Sequence, residues 1–508
     1  MEQKFEMVAK TFQGLEEVLA EELRSIGAEN VMPGRRMVSF EGNLETLYRA
    51  NLQCRTALRI LKPFYKFRAG DADSLYEHAK EFDWSTMLTV DKTFSIDTVA
   101  NSDEFKHSRF VTYRIKDAIV DWFKDRYGED KRPGVRLQDA DVMINVYING
   151  KDVILSLDSS GESLHKRGYR VAQTEAPINE VLAAGIILRS GWRGECPLVD
   201  PMCGSGTFLI EAALIAANIN PGIYRKGFAF ERWADFDQEL FDRLYNDDSA
   251  ERTFDFKIYG ADISPKAVEI ARANIKSAGV AKYIELERKP LSAWETSPRP
   301  AGVLVTNPPY GERISVADMD GLYQTIGSKL KHVFTGYHAW IIGYRDDYFA
   351  RIGLAPSEKI PLYNGSLECS LREYIIFEGD RRSFVRDGGK IGKGEDRPAR
   401  KTDGPRAKGR FGDRPERPSR DRADRGDRPE RTDRPFRSDK PERRAPRVET
   451  PETEPENPLA KRRNPGALNL IKGRRPTLPP QEGPIMRSRG WKKRRIEPNK
   501  PDDAKDCL

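Results

Sequence analysis

Residues 1–160 carry two kinds of apolar pattern, one typical of helices and one typical of strands. Apolar positions three and four apart between Leu15 and Ile26 predict an amphipathic helix, and Asn149-Gly150 between two alternating runs predicts a hairpin turn. This part of the chain therefore predicts small mixed α+β domains. The predicted elements are an apolar run over 5–9, helices over 15–26, 44–52 and 110–127, a helix running into a strand over 55–65, a strand over 94–99, and a hairpin over 141–158.

The pattern changes at Pro177, after which short apolar strands alternate with helices. Pro177 suits the first turn of a helix, because its fixed φ fits there and its missing N–H is not needed. Strand–helix alternation predicts a mostly parallel sheet covered by helices, which is a doubly wound α/β domain. The predicted strands cover 197–200, 258–263, 283–286, 303–306, 339–343 and 373–377, and the predicted helices cover 208–217, 265–278 and 322–333.

The run from Asp200 to Thr207 joins a predicted strand to a predicted helix. Gly204 and Gly206 would let the backbone approach a ligand, and the helix N-terminus offers free N–H groups to a carboxylate. The run lacks the Gly-Lys-Ser/Thr ending of a phosphate-binding loop, and Asp200 suits an ammonium partner. We therefore expect the loop to bind an amino acid moiety. The alternative for the two glycines is a structural turn.

Asp262 ends the strand predicted over 258–263, after a long insertion over 224–255. An acidic side chain at the end of the second strand of a doubly wound sheet can accept hydrogen bonds from both hydroxyls of a ribose. Ligands of such sheets bind at the carboxyl ends of the strands, so Asp262 and the glycine loop should face one crevice. An amino acid and a ribose in one ligand indicate S-adenosylmethionine (SAM) as the co-substrate.

The tetrapeptide Asn307-Pro308-Pro309-Tyr310 follows the strand predicted over 303–306. The Asn307 side-chain oxygen and the Pro308 carbonyl could both accept from an exocyclic amine, and Tyr310 offers a face for an everted base. Two acceptors favour the pyramidal nitrogen that develops as a methyl group arrives, so these four residues are the candidate catalytic residues. The alternative is again a structural loop.

Three segments together resemble the THUMP-containing guanine-N2 RNA methyltransferases. They are DPMCGSGTFLIEAA from Asp200, GADISPKAVEIARANIKSAGV from Gly260 and TNPPYGERI from Thr306. The likeness extends upstream through LYRANLQCRTALRIL, DSSGESLHKRGYR and EAPINEVLAA, and it covers nearly all of residues 1–380. It is greatest to the N-terminal half of the bacterial members that modify 23S ribosomal RNA.

The resemblance implies a fold and a domain order. It implies a Rossmann-like class I methyltransferase domain over 161–380, preceded by a ferredoxin-like region over 1–44 and a THUMP RNA-binding domain over 45–160. By residue, it implies the methionine end of SAM for Asp200, Gly204 and Gly206, the ribose for Asp262, and the target guanine for Asn307, Pro308, Pro309 and Tyr310.

The chain departs from the family pattern in two places. Family members usually carry an acidic residue near the adenine after the third strand, where this chain has Arg288-Lys289-Pro290. Recognition of adenine at that point is therefore left open. The second methyltransferase module of the enterobacterial form, which makes 7-methylguanine, is expected to be replaced by the C-terminal tail.

The segment His165–Arg170 lies between the expected RNA-binding and catalytic parts. Lys166, Arg167 and Arg170 could hold RNA phosphates while Tyr169 stacks on a nucleotide. We expect RNA contact at these four residues. The alternative is a segment that only packs the two parts together.

Charge and composition divide the chain at residue 381. The 508 residues hold 86 Lys+Arg and 79 Asp+Glu, a net of +7; residues 381–508 hold 38 and 22 of these, a net of +16, which leaves −9 for residues 1–380. The last part also holds 18 of the 33 prolines and only four aromatic residues, so we expect a disordered tail. An acidic folded part excludes a globally basic nucleic-acid-binding globule, and the tail is the expected source of salt-dependent attraction to RNA.

Other sequence features bear on membrane contact, cellular compartment, disulfides and metal binding. No run approaches the roughly 18 apolar residues of a membrane span, and the N-terminus lacks the apolar core of a signal peptide, so we expect a cytoplasmic protein without membrane contact. The five cysteines form no Cys-x-x-Cys pair and have no histidine at ligand spacing, so neither a disulfide framework nor a metal site is expected. The oligomeric state is left open.

These observations favour an enzyme that methylates N2 of a guanine in 23S ribosomal RNA or a large-subunit precursor, during ribosome biogenesis. Guanine-N2 methylation of tRNA and N6-adenine methylation of nucleic acid stay open, because such enzymes share Asn-Pro-Pro-Tyr. A catalytically inactive RNA-binding assembly factor also stays open. Intact Asp262 and Asn307 count against an inactive protein, and the RNA-binding front end counts against DNA.

Overall fold

The structure is a computed structural model that describes residues 3–310, 316–379 and 386. Apart from Arg386, the predicted tail over 381–508 lies outside the described residues. Residues 311–315, which include the whole GERI end of the third family segment, also lie outside them.

The described chain up to Asp158 forms one mixed sheet with helices packed against it. Its elements are β1 (Phe5–Lys10), α1 (Glu16–Ser25), β2 (Glu29–Gly34), β3 (Met37–Gly42), α2 (Leu44–Gln53), β4 (Arg59–Arg68), α3 (Ala72–Glu81), β5 (Thr93–Asn101), α4 (Ser108–Tyr127), β6 (Gly134–Val135), β7 (Val142–Asn149) and β8 (Asp152–Asp158). The strand order is β2-β3-β1-β4-β8-β7-β5-β6. Because β4 pairs with β1 on one side and β8 on the other, the ferredoxin-like and THUMP regions share a sheet.

The prediction of mixed α+β structure in this part is confirmed, but one detail differs. Residues 55–58 form no helix, because the Glu22 carboxylate accepts from the backbone N–H groups of Arg55 and Thr56 and holds the chain in a turn before β4. The boundary at residue 44 stays a prediction, since β4 pairs with strands on both sides of it.

The second part of the described chain has the expected strand–helix alternation. Its elements are α5 (Glu180–Arg189), β9 (Leu198–Asp200), α6 (Thr207–Ala216), α7 (Gln238–Tyr245), β10 (Ile258–Asp262), α8 (Pro265–Ser277), β11 (Ile284–Arg288), β12 (Gly302–Thr306), α9 (Val316–His332), β13 (Tyr337–Gly343), α10 (Asp346–Arg351), β14 (Glu358–Asn364) and β15 (Leu367–Ile375). The seven-stranded sheet has the order β11-β10-β9-β12-β13-β15-β14. All pairs from β11 to β13 are parallel and β15 is antiparallel to both its neighbours, so the doubly wound α/β prediction is confirmed.

The helix expected to open at Pro177 begins three residues later. Asn179 is its N-cap, and the Asn179 side-chain oxygen accepts from the backbone N–H of Val181 at 2.9 Å. An asparagine cap satisfies backbone donors that a proline at the first turn would leave to solvent. The prediction for Pro177 was therefore wrong, and Pro177 instead lines the central cleft.

The apolar helix α5 joins the ferredoxin-like region to the catalytic part, and the apolar helix α6 packs beside it on the catalytic sheet. Both are buried over almost their whole length. Leu15 at the start of α1 lies so close to Gly185 of α5 that a Cβ at residue 185 would stand 2.4 Å from the leucine side chain. A glycine is therefore needed there for the two regions to pack together.

The described residues contain neither a membrane-spanning helix nor a cluster of metal ligands. None of the described helices is both long enough and apolar enough to cross a bilayer. Within the same residues, no group of three or more His, Cys, Asp or Glu side chains is placed to hold a metal ion.

Candidate active site

The candidate site lies where the order of the second sheet reverses. The first strand of that sheet in the chain, β9, has β10 on one side and β12 on the other, and all three run parallel. Where the connections after two neighbouring parallel strands run in opposite directions, a crevice opens at the carboxyl ends of those strands. A cleft of about 910 Å³ lies there, and it is lined by residues of the glycine loop, Asp262 and the tetrapeptide at 307–310.

The glycine loop is held between the ends of β9 and β10. The backbone N–H of Cys203 donates to the Ala261 carbonyl at 2.9 Å, and both Gly204 and Gly206 have positive φ, +52° and +80°. Gly204 lines the cleft, whereas a Cβ on Gly206 would stand 3.1 Å from the Ala271 side chain on α8. The first glycine therefore faces the cleft, and the second lets the loop pack against a helix.

Asp200 is a buried acid at the end of β9. It is 1% exposed, and its Oδ1 accepts from the Thr306 hydroxyl at 2.8 Å and from the Met202 N–H at 3.2 Å. Burial raises the pKa of Asp200 to about 7, and the nearby Asp262 carboxylate adds to the rise while the two hydrogen bonds oppose it. A cation placed in the cleft would stabilise the charged form of this carboxyl.

Asp262 ends β10 and faces the glycine loop. Its Oδ2 accepts from the Gly204 N–H at 2.9 Å, and its Oδ1 accepts from the Ser264 N–H at 2.8 Å. Both carboxylate oxygens are thereby fixed in direction at the wall of the cleft. The second lone pair on each oxygen is the one that could accept from a hydroxyl donor.

An apolar wall beyond Asp262 was missed by the sequence reasoning. Ile263 is 68% exposed and lines the cleft together with Pro290 and Leu291. Lys289, part of the departure from the family pattern, directs its ammonium over the Trp294 ring at 4.6 Å. An apolar side chain directly after the acidic strand end is the signal that would have indicated this wall.

The tetrapeptide after β12 forms another wall of the cleft. Asn307 Oδ1 is buried and has no hydrogen-bond donor among the described residues. Pro308 is buried and Pro309 is exposed. The Tyr310 hydroxyl oxygen accepts from the Asn364 side-chain amide at 3.1 Å, and burial raises the pKa of Tyr310 well above its usual range.

Known proteins share this architecture along the whole described chain. Models of three families match it: an RlmL ferredoxin-like domain over residues 6–61, a THUMP domain over 69–158, and an RMKL-like methyltransferase domain over 167–373. A Synechocystis sp. protein provisionally named an RNA methyltransferase is 39% identical over 372 residues, which are 73% of this chain and 96% of that protein. This chain belongs to the RlmL-like family of THUMP-containing methyltransferases.

Two further proteins, one known by sequence and one by its crystal structure, are similar to this RlmL-like chain. The ribosomal RNA large subunit methyltransferase K/L of Syntrophotalea carbinolica is 39% identical over 391 residues, which are 74% of this chain and 54% of that protein. The chain thus spans about half the length of that relative. A crystal structure of a protein provisionally named a methyltransferase, complexed with S-adenosylhomocysteine (SAH), is 33% identical, with a TM-score of 0.67, covering 75% of this chain and all of that one.

The RlmL-like linker His165–Arg170 packs the domains together, contrary to the main expectation for it. Arg167 is 2% exposed and donates to the backbone carbonyls of Leu164 and Arg55, and the buried Tyr169 donates its hydroxyl to Glu211 at 2.8 Å. Side chains buried in this way have no surface to offer RNA, so the prediction of RNA contact was wrong for Arg167 and Tyr169.

Arg170 and Lys166 differ from those two residues. Arg170 is mostly buried; it donates to Glu180 at 2.6 Å and to the hydroxyls of Ser205 and Thr207 at 3.0 Å each, and thereby braces the glycine loop. Its guanidinium is thus occupied inside the protein, and RNA contact is not expected there. Lys166 is exposed and pairs with Glu162 at 2.5 Å, so RNA contact at Lys166 stays a prediction.

Proposed function

We propose that this protein transfers a methyl group from SAM to the exocyclic N2 of a guanine in 23S ribosomal RNA. The observation that carries the proposal is the buried Asn307 Oδ1, an acceptor without a donor among the described residues, at a cleft that also holds Asp200 and Asp262. A buried acceptor left unpaired costs about 1–3 kcal/mol, which the amine of a bound base would recover.

The residues that line the cleft suit SAM. Asp200 could pair with the ammonium, the backbone at Gly204 and the start of α6 could hold the carboxylate, and Asp262 could accept from the ribose hydroxyls. Ile263 and Leu291 offer apolar contact to adenine in place of the acidic residue expected there. The volume of about 910 Å³ is at the upper end of ordinary ligand pockets and leaves room for a base beside SAM. When bound, SAM would supply an electrophilic methyl group.

In the proposed reaction, the role of the protein's own residues is to hold the amine of the target guanine. Asn307 Oδ1 and the Pro308 carbonyl would accept the two N–H bonds of the guanine amine, and Tyr310 would stack on the everted base. These acceptors stabilise the nitrogen most strongly as it becomes pyramidal and positively charged, so they lower the barrier more than they tighten ground-state binding. The methylated amine loses its proton readily, so no strong base is required.

The choice of 23S ribosomal RNA rests on the relatives and on the front of the chain. The K/L relatives are named for the large ribosomal subunit, and the THUMP model matches 69–158. With an RNA substrate of this kind, we expect the protein to act in the cytoplasm during ribosome biogenesis.

Nucleoside mass spectrometry of RNA from a deletion strain tests the proposal. We expect N2-methylguanosine to fall in 23S ribosomal RNA and to return with the wild-type gene but not with Asn307→Ala. A loss from tRNA, or a loss of N6-methyladenosine, would instead favour one of the two other substrates. Unchanged modification in every RNA, with an assembly defect that Asn307→Ala corrects, would favour the inactive assembly factor.

A further inference from the structure

The hairpin of β14 and β15 brings a second segment of chain to the cleft. The turn of this hairpin contributes Asn364, Gly365 and Leu367 to the lining of the cleft. These residues come later in the chain than the residues that carry the proposed chemistry. Asn364 faces Leu367 across the hairpin, and Leu362 faces Cys369. Because residues directly opposite each other in an antiparallel pair point to the same side, these four side chains share one face of the hairpin.

Three side chains from other elements hold Tyr310. The Asn364 Nδ2 donates to the Tyr310 hydroxyl oxygen at 3.1 Å, and the Cys369 Sγ lies 3.9 Å from the same oxygen. At the other end, the Tyr344 ring meets the Tyr310 ring edge to face, with centroids 5.5 Å apart and an angle of 66°. The ring is thus fixed at its hydroxyl and along its edge.

Of these contacts, the one from Asn364 is the best directed. A thiol at 3.9 Å is a weak hydrogen-bond partner, and two aromatic rings in contact can slide against each other. An amide N–H at 3.1 Å, in contrast, fixes both a distance and a direction. Asn364 and Tyr310 both line the cleft, so this hydrogen bond lies at the site itself. Without this donor, the Tyr310 ring could turn about its side-chain bonds.

We infer that Asn364 is a positioning residue: it holds the Tyr310 ring at the angle on which the target base stacks. The inference rests on the proposed function, because it assigns Asn364 a part in placing the everted base. An everted base must bring its amine in line with the methyl donor, and a small turn of the stacking ring moves that amine out of line. The effect should therefore appear in the rate of methyl transfer and leave the binding of SAM unchanged.

A double-mutant cycle on the full chain tests the inference. The variants are Asn364→Ala, Tyr310→Phe and the two together, with Lys359→Ala, an exposed change on the same hairpin, as the matched control. The readouts are the single-turnover rate on 23S ribosomal RNA from a deletion strain, the Kd of SAM by calorimetry, and the melting temperature. We expect Asn364→Ala and Tyr310→Phe each to slow transfer about fivefold, from the loss of one hydrogen bond, and the double variant to be no slower than either.

The outcomes separate this inference from the proposed function. An Asn364→Ala rate equal to that of the wild type, or rate losses that multiply in the double variant, would overturn the inference alone. A weaker Kd for SAM in Asn364→Ala would also overturn it, since the effect would then be structural. A wild-type protein that transfers no methyl group to guanine would reject the proposed function and the inference together. If Asn364→Ala does not fold, Tyr310→Phe removes the same bond from the other end and must itself be slow.

Discussion

Thr306 donates its hydroxyl to the Asp200 carboxylate at 2.8 Å, and this bond joins the ends of β12 and β9. Asp200 is the residue that we assign to the ammonium of SAM, and Thr306 directly precedes Asn307, which we assign to the target amine. The donor side and the acceptor side of the proposed reaction are therefore linked by one hydrogen bond and one peptide bond. Such a link fixes the spacing that in-line transfer requires.

Loss of this bond should weaken the binding of SAM. In Thr306→Val the Asp200 carboxylate loses a donor that lowers its pKa, so less of it is charged at pH 7 and we expect the Kd of SAM to rise about three- to tenfold. Thr306→Ser keeps the hydroxyl and should bind almost as the wild type does. Calorimetry at pH 7 and pH 8.5 checks this, because the defect should shrink at the higher pH, where the carboxyl is ionised in both proteins. An equal increase in the Kd of SAM at both pH values would contradict this explanation.

The buried Asp200 should make the ligand-free protein less stable as the pH rises. Its folded pKa is about 7 and an unfolded aspartate titrates near 3.9, so the folded state binds more protons between these values and the free energy of unfolding falls as pH increases through that window. Asp200→Asn cannot titrate there. Between pH 5 and pH 8, urea unfolding should show the wild type losing about 3 kcal/mol relative to this variant. Parallel pH profiles would show that Asp200 is not a strained buried acid.

Removal of the Asn307 acceptor should stop transfer without loosening SAM. Asn307→Ala takes away an oxygen that is needed most in the transition state, so we expect the rate to fall about 100-fold or more while the Kd of SAM stays within twofold. Single-turnover kinetics and calorimetry measure the two quantities separately. A rate within threefold of the wild type would remove Asn307 from the mechanism.

Truncation should reveal what the basic tail contributes. Removing residues 381–508 takes away a net charge of +16 and leaves residues 1–380, whose net charge is −9. Fewer phosphates would then be neutralised, so the plot of log affinity for RNA against log salt should become shallower. Filter binding across a salt series checks this, with the catalytic rate on saturating RNA as the control. An unchanged slope would place the electrostatic contacts elsewhere in the chain.

The sequence by itself determined which side chains stand at the strand ends beside the cleft. Asp200, Asp262 and Asn307 were identified because each directly follows a short apolar run, and the carboxyl ends of parallel strands share one edge of a sheet. Local spacing carries that information. The doubly wound order could likewise be predicted, because it follows from the alternation of strands and helices.

Only the tertiary structure decided which polar side chains reach the surface and which reach one another. Arg167 and Tyr169 look like RNA-binding residues in the sequence, yet the packing of the linker against α6 buries them. Asn364 lies 54 residues from Tyr310, in a hairpin that the sequence reasoning had missed in part. Contacts over such separations depend on how sheet edges and helices pack, and no local periodicity encodes that packing.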